Sequence, residues 1–262
     1  MNVLRHDSYE LFWNEANGWS YSGIGKELSI NKLENMRTAP FELGGIISSI
    51  RHNYIGDSVI EKESSIDELM KHAATTHNSD DPQIITMRAL LDQRMLWWMN
   101  KYGCLNTYDT KPEYRTMTVF ISQAKKFEWI FDYMTEIGLY AAALPDGLLR
   151  MRPTVDINPQ TKRSYRKNEV NAVSKEDFAQ YVQEMIIAGM TKFVHGTIDE
   201  PIPTNMQGAL WLIADQELQN KTSLIRCANI STPCMSLIEL KNEPNPQRAC
   251  SSNCQAIINL LQ

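Results

Sequence analysis

Five cysteines and five histidines are the side chains best suited to nucleophilic or metal chemistry here, and their spacing limits how they can be used. Cys104 stands alone, whereas Cys227, Cys234, Cys250 and Cys254 crowd the C-terminal part. Zinc knuckles set roughly two to four residues between paired thiolates, around a tight turn. Cys250 and Cys254 obey that rule as C-x3-C; Cys227 and Cys234, as C-x6-C, do not. An odd cysteine total also fits poorly with a disulfide framework. The spacing predicts reduced thiols, with no metal and no other cofactor. His6, His52, His72, His77 and His195 are dispersed, and His72 and His77, five apart, fall on different faces of a helix. Asp80 and Asp81 follow His77 closely, but two acids before Pro82 are better explained as a helix cap. The chain has no H-E-x-x-H, no G-x-S-x-G elbow, no phosphate-binding glycine loop and no EF-hand loop. These patterns predict a protein without catalytic residues; a metal-dependent enzyme built on the cysteine-rich tail is the remaining catalytic option.

The other chemically distinctive stretch is Arg150 to Lys167, RMRPTVDINPQTKRSYRK, with six Lys/Arg against the single acid Asp156. It interrupts a chain whose net charge is −5. Two prolines make it a poor helix or central strand, so it reads as an exposed basic loop. Arg150, Arg152, Lys162, Arg163, Arg166 and Lys167 are the candidate phosphate contacts, and Tyr165 could stack on a base of a single-stranded nucleic acid. The alternative is a solvated linker whose charges only keep it extended.

The elements that must position these groups are mainly helical in their apolar spacing. Short helices are expected from Tyr9 to Trp13 and from Ser20 to Met36, then a segment from Pro40 through Ile50. Ser64 reads as the cap of a helix running to His77. Pro82 to Tyr102 follows, opened by Asp80-Asp81 and closed by Gly103, with Ile84, Met87, Leu90, Leu91, Met95, Trp98 and Tyr102 inward. Trp97 and Trp98 point about 100° apart, so one of them must meet another element or a second subunit. Gly44-Gly45, between apolar residues, suits a bend or close packing rather than a phosphate cradle. Tyr114 to Ile121 is a strand or an extended lead-in to a helix from Gln123 to Ile137. Beyond the basic stretch, helices are expected from Ser174 to Ala188, from Thr204-Asn205 to Leu218, from Ser231 to Leu240, and from Ser251 to Leu261. The fold expected is mostly α with little β, as two helical lobes joined by the basic loop. Residues 1–149 form the Trp-rich lobe, 150–170 the linker and 171–262 the smaller lobe.

Two stretches bear family resemblances. Asn17 to Arg37 resembles the helix-turn-helix of bacterial regulators, with Ile24, Gly25, Leu28 and Ile30 in the framework positions and Ser29 where that family has glycine. The resemblance implies duplex-DNA contacts by Asn31, Lys32, Asn35 and Arg37. Val173 to Leu224, with Phe178, Met185, Pro201, Pro203 and Met206-Gln-Gly-Ala-Leu-Trp211, is similar to the helical core of flexuous filamentous plant-virus coat proteins. That resemblance implies a subunit that assembles head-to-tail and holds single-stranded RNA in a basic groove between helices. Hydrophobic content of 43% and charge of 22% are those of an ordinary globular protein. The N-terminus lacks the pattern of a signal peptide, and no apolar run is long enough to span a bilayer. Together these features predict a homo-oligomeric assembly protein of the viral coat, nucleocapsid or matrix type, located in the cytoplasm or a virion. A DNA-binding regulator is the rival.

Overall fold

The computed structural model describes residues 9–22, 36–55, 60–105, 116–135, 148–150, 172–197, 201–220, 224–227, 236–239 and 249–261. These residues are mostly α, with short two-stranded sheets. At the centre lies α1 (Ala39–Ile55), whose APFELGGII start is buried on every side. A helix apolar all round belongs inside a core. Its most extensive contact is with α4 (Met117–Thr135), and the two glycines set how close that contact is. A Cβ on Gly44 would stand 2.1 Å from the Phe127 carbonyl oxygen, and one on Gly45 2.9 Å from the Phe131 ring. Close packing, not a bend, is what the glycine pair provides.

Helices α2 (Ile60–Thr75) and α3 (Pro82–Tyr102) pack beside this pair. For α3 the local signals and the structure agree. Asp81 Oδ1 accepts the Gln83 N–H at 2.8 Å, and Gly103, at φ 97°, donates its N–H to Met99 O at 2.7 Å. Met87, Leu91, Met95, Trp98 and Tyr102 are buried, with Ile84 and Leu90 half-buried at the same side. Trp98 faces the core and donates to Ala39 O at 3.0 Å; Trp97 is half-buried against the edge of the same core, with Lys101 Nζ 5.2 Å from its ring centre. By contrast α2 begins before Ser64, which lies inside the helix.

The two N-terminal helices expected from the sequence are corrected. Residues Glu10–Asn14 (β1) and Gly18–Ser22 (β2) form an antiparallel hairpin, turned by Asn14 Oδ1 and by Gly18 at φ 75°. Tyr9, Leu11 and Trp13 recur every second residue, which is the period of a strand, and Trp13 meets Trp19 edge-on at 5.6 Å across the pair. The helix expected from Ser20 therefore starts as a strand. Residues 23–35, including Ile24, Gly25, Leu28, Ser29, Ile30, Asn31, Lys32 and Asn35 of the helix-turn-helix comparison, lie outside the described residues.

The second half opens with a short antiparallel pairing of β3 (Leu148–Arg150) with β4 (Ala172–Ser174). The residues on either side of the segment 151–171 are thus hydrogen-bonded to each other. Then come α5 (Lys175–Phe193), the hairpin β5 (Val194–Gly196) and β6 (Pro201–Pro203), and α6 (Met206–Gln219). Asn205 Oδ1 caps α6 by accepting from Gly208 N–H at 3.0 Å. Helices α5 and α6 pack on each other and reach α4 and α1, so Val182, Ile186, Leu210 and Trp211 share a core with Phe41, Ile46 and Phe127. A last hairpin, β7 (Leu224–Arg226) with β8 (Leu237–Glu239), precedes α7 (Ser252–Leu261). The helix expected over Ser231 to Leu240 is corrected at its described end, where Leu237–Glu239 is a strand. No helix among the described residues is long and apolar enough to cross a membrane.

Candidate nucleic-acid interface

Four lysines that the sequence reading passed over converge on one groove. Helix α2 brings Lys71, α4 brings Lys125 and Lys126, and α5 brings Lys192, around a space of about 790 Å³. That is the size of a site for a small organic ligand or a nucleotide unit. Asp67 and Glu68 are the carboxylates of its lining, and Asp67 is engaged by Lys125 at 3.0 Å. Cations therefore outnumber anions four to two. Lys126 and Lys192 face the groove from adjacent helices. Although Lys126 keeps solvent contact, packing on the groove wall desolvates its ammonium and the Lys192 charge repels it. Both effects hold its pKa below the ordinary lysine value. An anion between the two would remove the repulsion.

The floor of the groove is aromatic. Trp129 meets Tyr181 edge-on at 5.6 Å, and Trp211 lies tilted over Phe127 at 4.3 Å. Phe193 is half-buried, with Lys192 Nζ 5.1 Å from its ring centre. Gly189 permits this arrangement, because a Cβ there would stand 2.2 Å from the Trp211 ring. The Trp211 indole N–H is buried with no hydrogen-bond partner among the described residues. Lysine ammoniums beside the half-buried rings of Tyr181 and Phe193 form a surface suited to phosphate with a stacked base.

Of the residues singled out from the sequence for nucleic-acid contact, Arg150 ends β3, paired with Ala172. Arg152, Lys162, Arg163, Tyr165, Arg166 and Lys167 lie outside the described residues. Arg37, the duplex-contact candidate that is described, holds Glu217 through Nε and Nη2 at 2.6 and 2.8 Å, tying the approach to α1 onto α6. His77 stacks on Trp13 at 4.7 Å, and Asp81 is a cap. Cys227, Cys250 and Cys254 come together, Cys104 is buried after α3, and Cys234 lies outside the described residues.

A second polar centre holds the framework. Glu42, fully buried on α1, accepts from Lys101 Nζ at 2.9 and 2.8 Å, from Tyr102 OH at 2.6 Å and from Leu237 N–H at 3.1 Å. Burial, then the Glu42 charge and hydrogen bond, push the Tyr102 phenol far above its ordinary range. Its partners come from α3 and β8, so the cluster is a structural clasp. Nothing in sequence spacing linked the lysines of α2, α4 and α5, because each lies on its own helix with ordinary neighbours. No protein-family model matches the chain, and neither a curated protein nor a solved structure is significantly similar to it.

Proposed function

We propose that this chain is a non-enzymatic assembly protein that holds single-stranded RNA across the groove between α2, α4 and α5. The observation that carries the reading is the convergence of Lys71, Lys125, Lys126 and Lys192 over an aromatic floor. Phosphates would lie between Lys126 and Lys192, and a base would stack beside Tyr181 or Phe193. The resemblance of Val173 to Leu224 supports the same class. That stretch contributes Tyr181, Lys192, Phe193 and Trp211 to the groove, and the coat proteins it resembles keep RNA in a basic groove between helices. The basic stretch from Arg150 to Lys167 extends the contact as a second cationic segment. Self-association into a virion-type assembly belongs to the same proposal.

Affinity for a single-stranded RNA oligonucleotide measured against salt tests it. The log–log slope should be negative and should shrink by about 0.7 for each phosphate contact removed. Lys126→Ala with Lys192→Ala should therefore flatten it by about 1.4, and alanines at Lys162, Arg163, Arg166 and Lys167 should flatten it further. A flat slope in the unmodified chain ends the proposal. Particle mass with absorbance ratio on sizing reports assembly and carried RNA together.

A further inference from the structure

Three thiols separated along the chain meet in space. Cys227 follows β7, and its N–H donates to Ser236 O at 3.1 Å, so the β7–β8 pairing fixes its backbone. Cys250 precedes α7. Cys254 sits in the first turn of α7, where its N–H donates to Ser251 Oγ at 3.2 Å. The three Sγ atoms all lie within 4.8 Å of one another, with Cys250 and Cys254 3.5 Å apart. Bonds of about 2.3 Å to a tetrahedral zinc ion separate its sulfur ligands by about 3.8 Å. The observed spacing brackets that value and is far longer than a disulfide bond of about 2.05 Å. The Cys250 N–H also points at Cys227 Sγ at 3.5 Å, the kind of amide donor that supports a metal-bound thiolate.

The surroundings give an independent reason for a fastening. Cys227, Ala249 and Cys254, with Ile238, Cys250 and Ile258 beside them, form a small cluster separate from the main core. Helix α7 has 10 residues and leaves Leu260 85% exposed, while β7 and β8 have three residues each. So little apolar burial does not hold a short helix against a short hairpin. Small units of this kind are held by covalent or metal cross-links.

We infer that Cys227, Cys250 and Cys254 bind one zinc ion as thiolates and so fasten α7 to the β7–β8 hairpin. Each thiol gives its proton to solvent as its sulfur bonds the ion, so loading releases protons. The fourth tetrahedral position takes a further donor, as a closed structural site requires. An all-sulfur set favours zinc over magnesium or calcium, which take oxygen ligands. The role is structural and independent of the lysine groove, which contains none of these thiols.

The test uses the full chain, purified reduced and without chelator, then reloaded with zinc or cobalt ions. About one zinc per chain is expected, and cobalt should give the visible bands of a tetrahedral thiolate site. Cys227→Ser and Cys254→Ser should each weaken zinc binding about tenfold or more, while Cys104→Ser should load like the parent. Should the serine variants fail to fold, the parent chain still decides. Chelation should remove hydrogen-exchange protection from residues 252–261 and spare α1 to α4. Fewer than roughly one zinc per ten reloaded chains, or unchanged loading in both serine variants, overturns the inference. RNA affinity on the same samples separates the two proposals, since zinc removal should leave it unchanged.

Discussion

At the scale of single residues, the buried carboxylate of Glu42 is the group on which most depends. It sits at 0% exposure and holds Lys101, Tyr102 and the Leu237 amide at once. Ion pairs at a surface contribute little, but removing one partner of a buried charge leaves the other uncompensated. Lys101 keeps solvent contact while Glu42 does not, so the penalty falls on losing the lysine. Lys101→Met should destabilise the chain by about 3 kcal/mol in urea unfolding, and adding Glu42→Gln should recover part of the loss. Equal losses in the single and double variants would show that the charge pair is not the cause.

At the scale of elements, the contact between α1 and α4 rests on the absence of a side chain. Placing alanine in a helix interior gains about 1 kcal/mol over glycine from propensity. Against that, a Cβ on Gly44 would meet the Phe127 carbonyl at 2.1 Å, and backbone cannot turn aside as a side chain can. Overpacking costs about 1–3 kcal/mol, and an approach this close to backbone puts the site at the upper end, so Gly44→Ala should lower stability by up to about 2 kcal/mol net, with the urea midpoint falling at unchanged slope. A midpoint at or above the parent's would sink this account of the packing. The close-packing role of Gly44-Gly45 was legible from its apolar neighbours, as was α3 from Asp81, Pro82 and Gly103, because those signals are local. The hairpin was not. Over five residues, Tyr9 to Trp13 fits both a helical and an alternating pattern, and its pairing with β2 decides between them. The cysteines were paired with their nearest neighbours in sequence, whereas the fold joins Cys227 to the distant Cys250 and Cys254. The lysine groove left no local trace, since three separate helices supply it.

At the scale of the whole molecule, buried phenols tie stability to alkaline pH. Tyr21 is pushed well above its ordinary pKa by burial, then by the Asp92 charge and its hydrogen bond, and Tyr102 by burial and then Glu42. In the unfolded chain both would lose their protons near pH 10. A folded pKa raised above the unfolded one gives stability that is complete below about pH 10 and is lost as pH climbs beyond it. Across the neutral range these two groups should make no difference. Above about pH 10 helix content should fall, and the last tyrosinate absorbance should appear in the same transition as that loss. Ionisation of all 10 tyrosines before any helix is lost would contradict the burial of Tyr21 and Tyr102.

The pairing of β3 with β4 has a topological consequence. Because Leu149 and Val173 lie side by side, the chain leaves the helical framework and returns to it at one spot. Severing the backbone between Arg150 and Ala172 would therefore not part the halves. The shared core of α1 and α4 with α5 and α6, and the Arg37–Glu217 pair, would keep the fragments as a non-covalent complex. The same spot is a natural place for new termini, since the points where the chain leaves and re-enters already stand side by side.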